Sequence, residues 1–390
     1  MTKRLIEKGN GYKIFLTVLG GNQAFITASV TDQHPPAELS ARIYHHLLSL
    51  IQHHHFEILH ERIFADLNDE AVIKAARNKA FAEFHLDAKM PLTFIQGRPV
   101  QGKGLAGVQI RAFAPTAKDD GVWLIQHQDA AVGRRWRRNG NDFYMLQNIF
   151  GNPDISDRYL QSCDMYDRAQ EILLSQDLSF KNVLRTWIYL SAILDWYGEF
   201  NRARNTRFTE FGLLGLSEKE NTEAEYIYLP ASTGILGENP MAAAAAMDIF
   251  AVSPAARLQI AHTSGVQQKS PYRYGSAFSR AMTMKEEDVT HILLSGTASI
   301  DEHGKTVYLD DSVGQIRKTV EVVQALILHE GATLQDIHEA TVFFKDADDL
   351  EKYWPIAEQF GINDLPAVFI IADVCRDDLL FEIDAAIALS

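Results

Sequence analysis

The sequence predicts an α+β protein built from three tandem copies of one unit. Three observations carry this expectation. A central extended run recurs as "ERIF" (Glu61 to Phe64), "RTWIYL" (Arg185 to Leu190) and "EATVFF" (Glu339 to Phe344). Each run follows one helical stretch and precedes an aromatic-bearing one: "AVIKAARNKAFAEF", "WYGEFNRARNTRF" and "DLEKYWPIAEQF". Each copy then closes with two extended runs, for example "LPAVFIIAD" with "DLLFEIDAA". A spacing of roughly 130 residues is too long for a solenoid unit and suits a whole small domain. The expected spans are 1–120, 121–256 and 257–390.

In the first copy, "KIFLTVLGG" and "AFITASV" predict strands. Pro35 and Pro36 then lead into "AELSARIYHHLLSLIQHHH", whose apolar residues recur at helical spacing. "PTAKDDG" is turn-rich and links to the second copy. There, "RNGND" predicts a tight turn between two strands, with helices near 156–176 and 195–211. "SEKENTEAE" predicts a charged, exposed loop. "PMAAAAAMD" predicts a strand of small residues where copies approach closely. The third copy is preceded by "SGVQQKSPYRYGSAFSRAM", a polar, aromatic stretch of the kind that binds more often than it packs. With both helices of each copy on one face of its sheet, the other face needs cover. Three sheets can cover one another about a common axis, which predicts a covalent pseudo-trimer and a monomeric chain.

Of the 390 residues, 46% are hydrophobic and 23% charged, which is globular composition. The net charge of -14 argues against general nucleic-acid binding and against an anionic membrane surface. Cys163 and Cys375 supply neither a disulfide framework nor zinc spacing. With no signal-peptide pattern and no long apolar run, the expectation is a cytoplasmic chain with no membrane span. "HHH" at His53 to His55 ends a helix, where adjacent rings point apart, so no metal is expected there. "GRRWRR" (Gly133 to Arg138) resembles a nucleic-acid patch but sits on a short strand of an acidic chain, which favours a surface or interdomain strand.

The third copy resembles the Rid/YjgF superfamily through "LLSGTASID" (Leu293 to Asp301), "GQIRKTVEVVQALILHEGATLQDI" (Gly314 to Ile337), "TVFFKDADDLEKYW" (Thr341 to Trp354) and "LLFEIDAAI" (Leu379 to Ile387). That resemblance implies three Rid/YjgF-like (chorismate-mutase-like) domains with ligand clefts between them. The superfamily's imine deaminases place an Arg just after the Pro of the penultimate strand. Here Ala367 follows Pro366, Ser232 lies two places after Pro230, and Thr93 two places after Pro91. Imine hydrolysis is therefore disfavoured.

A narrower resemblance, to the chorismatase group, covers most of the chain. It rests on "SGTASIDEH" (Ser295 to His303), "RTWIYL", the Arg-bearing "YGEFNRARNTRF", the loop "SPYRYGSAFSRA" (Ser270 to Ala281) and "ADVCRDDLLFEID" (Ala372 to Asp384). The resemblance implies release of pyruvate from chorismate or a close relative, with Glu382 as proton donor and no cofactor or metal. Cys375, seven residues earlier, marks members that form 3-hydroxybenzoate. It further implies a small anionic substrate held by Arg204, Arg280, Tyr272, Tyr274, Thr297 and Arg185 in the cleft between copies two and three. Gly198, Asn201 and Val307 depart from the group's pattern.

Each residue also has a plainer reading. Glu382 could be a solvent-facing strand carboxylate. Against that, Gln109 in "AGVQIRAF" and Asp248 in "AAMDIFAV" hold what look like equivalent places, polar among apolar neighbours, as a cleft-facing position would be. A carboxyl desolvated in a cleft has a raised pKa and suits a general acid. Arg204 could be a solvated helix charge beside Arg202 and Arg207, or a bidentate carboxylate clamp, as could Arg280. Cys375 could be a buried small residue, and the two tyrosines could be packing aromatics. The leading expectation is a chorismatase-like lyase or hydrolase giving a hydroxybenzoate. The alternatives are a Rid-type enamine or imine deaminase and a non-catalytic metabolite-binding homologue.

Overall fold

A computed structural model describes residues 2–214, 229–253, 258–263 and 276–389. Tyr272, Tyr274, the "SEKENTEAE" segment and most of the polar aromatic loop lie outside the described residues.

The chain forms three sheets of one design. The first has the order β1 (Lys3–Gly9), β2 (Tyr12–Leu19), β3 (Gln23–Val30), β7 (Leu105–Phe113), β4 (Glu57–Ala65), β5 (Thr93–Gln96). The second has the same order in β8 (Gly121–His127), β9 (Ala130–Arg138), β10 (Asn141–Phe150), β13 (Ala245–Ser253), β11 (Val183–Leu190), β12 (Ala231–Leu236). The third repeats it in β14 (Gln259–Thr263), β15 (Ala281–Lys285), β16 (Thr290–Ala298), β19 (Phe381–Leu389), β17 (Ile337–Phe344), β18 (Ala367–Ile371). The third sheet gains a seventh strand, β6 (Arg98–Pro99), from the first repeat, pairing with Ile370 and Ile371.

Two helices back each sheet: α1 (Pro36–His53) and α2 (Glu70–Glu83), α3 (Arg158–Leu174) and α4 (Ile193–Glu210), α5 (Ser312–His329) and α6 (Asp349–Phe360). Their ends follow local chemistry. Asp157 caps α3 by accepting from the Leu160 N–H, and Asp311 caps α5 through Gly314. Gly361 stops α6 at φ 69, where a side chain would be strained. His53 closes α1, and His55 lies just beyond it with φ 56.

Each repeat has its own helix-to-sheet core, exemplified by Tyr44 with Phe81, Tyr166 with Phe200, and Tyr353 with Phe344. A fourth core lies where the sheets face one another and draws on all three repeats: Phe64 and Phe113, Trp187 and Phe250, Phe343 and Val368. This shared core is why the central strands are buried on the face turned to the other sheets as well as under the helices, with Glu57 at the start of β4 the exception.

Charged groups on the axis are matched across repeats. Arg62 and Arg111 of the first repeat grip Glu339 of the third, with Arg111 Nη2 at 2.6 Å. Arg185 of the second meets Asp384 of the third at 3.1 Å. His60 of the first meets Asp248 of the second at 2.8 Å. Trp187 stands among three guanidinium groups, each within 4.9 Å of its ring centre. Burial alone would raise the Glu339 pKa, but Arg111 and Arg62 outweigh it and hold the carboxyl well below its ordinary range. Off this axis, buried Arg138 joins Asn22 of the first repeat to Glu286 and Asp288 of the third. The "GRRWRR" run is thus an interdomain strand at Arg138, and Trp136 stacks on Phe143 and Phe250. The "PMAAAAAMD" run is strand only from Ala245 onward, and Met241 is exposed.

Candidate active site

Strand pairing corrects the sequence alignment of the repeats. Gln109 pairs with Arg62, Asp248 with Trp187 and Asp384 with Thr341, so Asp384 is the counterpart of Gln109 and Asp248. Glu382 pairs with Phe343, and its counterparts are Gly107 opposite Phe64 and Ala246 opposite Tyr189. Glu382 therefore has no polar equivalent in the other repeats. The two-residue slip was invisible in the sequence because side chains two apart on a strand share a face.

The cleft containing Glu382 is walled by repeats two and three. From the second come Tyr197 and Arg204 on α4, two helical turns apart on one face, and Ser232 and Gly234 on β12. Backbone at Trp196 departs from helical values (φ -147, ψ 15), and its indole N–H donates to the Ser191 carbonyl at 2.7 Å. From the third repeat come Ser276, Phe278, Arg280, Gly296, Ala298, Ile300, Cys375, Arg376 and Glu382.

The seam between the repeats is hydrogen-bonded. Ser232 N donates to Ser295 Oγ at 2.8 Å, Ser295 Oγ donates to the Ser279 carbonyl at 2.6 Å, and Ser279 N donates to the Pro230 carbonyl at 3.0 Å. Opposite Glu382, β16 shifts register between Leu294 and Thr297. This bulge brings Gly296 against the Glu382 carboxyl so closely that a Cβ there would overlap it. It also turns Thr297 away. Thr297 is fully buried, donates to the Ser295 carbonyl at 2.9 Å, and does not line the cleft. The expectation that Thr297 faces a ligand thus passes to Gly296, because the bulge breaks the strand's alternation.

Arg185 is likewise outside the cleft lining. Its guanidinium is committed to Thr233, Asp384 and the Thr186 carbonyl. The sequence pattern found a buried arginine but could not show that Asp384 had claimed it.

Arg204 is buried between two rings, with Phe200 and Phe278 centred 5.5 Å from its guanidinium carbon. Asn201 Oδ1 accepts from its Nη2, and its Nε has no hydrogen-bond partner among the described residues. No Cβ at Gly198 would meet a neighbour. Tyr197, Ser232, Gly234, Ser276, Phe278 and Arg376 were not singled out from the sequence. Ser276 and Phe278 lie in the polar, aromatic stretch and Arg376 in "ADVCRDDLLFEID", segments already picked out as such, and the seven-residue spacing from Tyr197 to Arg204 was a further signal.

Burial pushes the Glu382 carboxyl up to about 8, and Asp384 adds to the rise, while Arg185 and Arg280 pull it back. Burial also pushes the Cys375 thiol up to about 12, with Glu382 adding to it. Cys375 is therefore a neutral thiol near pH 7 and not a thiolate nucleophile. Burial pushes the Tyr197 hydroxyl up to about 12 as well. The arrangement offers a protonated carboxyl, neutral thiol and phenol groups, and cations from two repeats.

A solved chorismatase structure matches over 85% of this chain and 92% of that chain, with a TM-score of 0.60 at 17% identity. The chain has the chorismatase fold. A curated relative from Streptomyces hygroscopicus, 3-hydroxybenzoate synthase, is 23% identical over 318 residues, which cover 74% of this chain and 87% of that protein. No family model matches the chain. Within the chorismatase fold, no helix among the described residues is long and apolar enough to cross a membrane.

Proposed function

We propose that the cleft between repeats two and three converts chorismate into pyruvate and a hydroxybenzoate, with 3-hydroxybenzoate as the product. The observation that carries this reading is Glu382, a carboxyl kept protonated by burial, in a cleft with Arg204 and Arg280. The 3-hydroxybenzoate synthase relative supports the substrate class.

Chorismate has an enol ether and two carboxylates. Glu382 donates its proton to the methylene carbon, leaving an oxocarbenium ion on the adjoining carbon. The neighbouring ring hydroxyl adds to that cation, losing its proton back to Glu382, and forms a cyclic ketal. The hydroxyl oxygen's own bond to the ring then breaks, and the proton on the ring carbon that keeps the ether oxygen passes to the freed alkoxide, which makes the ring aromatic. The hemiketal left on that oxygen collapses, its carbon–oxygen bond to the ring oxygen breaking, to release pyruvate and 3-hydroxybenzoate. The atoms balance without water, since pyruvate and hydroxybenzoate together have the formula of chorismate. Water capture of the same cation would instead yield pyruvate and a cyclohexadiene diol.

Arg204 and Arg280 take the carboxylates, a task suited to planar two-pronged donors. Cys375, as a small neutral group beside the ring, biases the outcome by limiting water access. Incubation of the chain with chorismate, following pyruvate and the aromatic product by chromatography, tests the reading. Absence of pyruvate release at micromolar enzyme would reject it.

A further inference from the structure

A second cavity, of 280 Å³, opens where the first and second repeats meet. Its back wall is the β10 bulge between Leu146 and Ile149, the counterpart of the β16 bulge beside Glu382. Asn148 occupies the bulge at φ 54, and its N–H is tied to Asp248 Oδ1 at 2.8 Å. Its side-chain Oδ1 is buried with no hydrogen-bond partner among the described residues. His127 Nε2 is also buried without a hydrogen bond, because Glu171 stops at 3.9 Å. Arg168 of α3 lies 5.7 Å from the centre of the Phe150 ring and makes no ion pair among the described residues. Leu92, Ile149 and Ile172 complete apolar walls.

Buried polar atoms are nearly always satisfied, so a cluster of orphans around a cavity asks for a ligand. Here the demands differ in kind. Asn148 Oδ1 lacks a donor, half-buried Arg168 can offer a two-pronged donor to an anion, and Leu92, Ile149 and Ile172 offer apolar surface.

We propose that this cavity binds a hydroxylated aromatic carboxylate. Arg168 takes the carboxylate, the ring packs against Phe150 and Ile172, and the hydroxyl donates to Asn148 Oδ1. This site is independent of the Glu382 cleft and of whether that cleft acts on chorismate.

The test is calorimetric titration of the full chain with 3-hydroxybenzoate, in an Arg204→Ala background so that the first cleft lacks its clamp. Binding should persist there and weaken roughly tenfold when Arg168→Met is added, as expected for loss of a charge-assisted contact. Benzoate, which lacks the donor, should bind about fivefold more weakly than 3-hydroxybenzoate, and L-lactate should bind more weakly still. Asn148→Gly tolerates the positive φ and should erase the preference for the hydroxyl. Thermal melting of each variant checks folding. The proposal is overturned by loss of all binding with Arg204→Ala alone, by indifference to Arg168→Met, or by equal affinity for benzoate and 3-hydroxybenzoate.

Discussion

Glu382 and Asp384 stand two residues apart on one face of β19, and among the described residues only Asp384 is in direct contact with a cation. Asp384 accepts from Arg185 at 3.1 Å, from Thr233 at 3.0 Å and from the Thr341 N–H at 3.2 Å. Among the described residues no group hydrogen-bonds the Glu382 carboxyl, and its buried position keeps it protonated. One strand thus presents an anion that binds the repeats together and, beside it, an acid with a transferable proton. Splitting two neighbouring carboxyls in this way is how a protein runs acid chemistry near neutral pH.

The first prediction follows from that pair. Glu382→Gln preserves shape but removes the proton, so turnover of chorismate should fall by roughly 10²-fold or more with a smaller change in binding. In the parent chain, kcat/KM should decline as pH rises through about 8, where the acid is lost. The linkage has the same sign. Between an unfolded value near 4.5 and about 8, the folded chain holds a proton that the unfolded chain has released, so stability falls as pH rises. Glu382→Gln should therefore melt higher than the parent at pH 8. Full activity in this variant would refute the mechanism.

Arg204→Lys keeps the charge but gives up the planar fork and its seat between Phe200 and Phe278. A drop of about tenfold or more in kcat/KM is expected, mostly through transition-state binding. An unchanged value would remove Arg204 from substrate contact.

Gly296→Ala places a methyl group where the Glu382 carboxyl lies. Activity should fall by roughly 10²-fold, because a small misplacement of a reacting group is costly. Thr297→Val, one residue along, should leave kcat/KM within about threefold, since that hydroxyl donates to the Ser295 carbonyl and does not line the cleft. Equal damage from both would contradict the bulge as the device that sets this wall.

His338 tests the junction of repeats one and three. It is buried against Phe25, with ring centres 3.9 Å apart, and neither ring nitrogen has a hydrogen-bond partner among the described residues. Burial holds its pKa well below 6.5, and His291, Arg111 and Arg4 push the same way against Glu339. Below pH 6.5 the unfolded chain binds a proton that the folded chain refuses, so this site subtracts stability as pH falls. His338→Leu should lose less stability between pH 7.5 and 5.5 than the parent does, by about 1 kcal/mol, read from urea unfolding. Equal losses would show that His338 does not govern the response.

Because the three repeats already cover one another, light scattering should return a particle near the 43.8 kDa of one chain. A stable homotrimer would contradict a closed ring of repeats.

Much of this molecule was legible in one dimension. The threefold recurrence of the central strand set the architecture, since a sheet backed by two helices on one side must bury its other face. Glu382, Cys375, Arg204 and Arg280 were singled out from local sequence, and the structure brings all four to one cleft. Arg185 and Thr297, expected in that cleft, do not line it, for a reason that local pattern cannot contain. One is held by a carboxylate 199 residues away, and the other is turned aside by a bulge defined only by its partner strand. The places of Gly296 and Tyr197 in the cleft, and the pairing of Asp384 with Arg185, were likewise decided in three dimensions. Sequence determined which elements form and which faces are apolar. Tertiary structure decided which buried charges are paired and which carboxyl is left to keep its proton, because desolvation and ion pairing depend on distance through space and not along the chain.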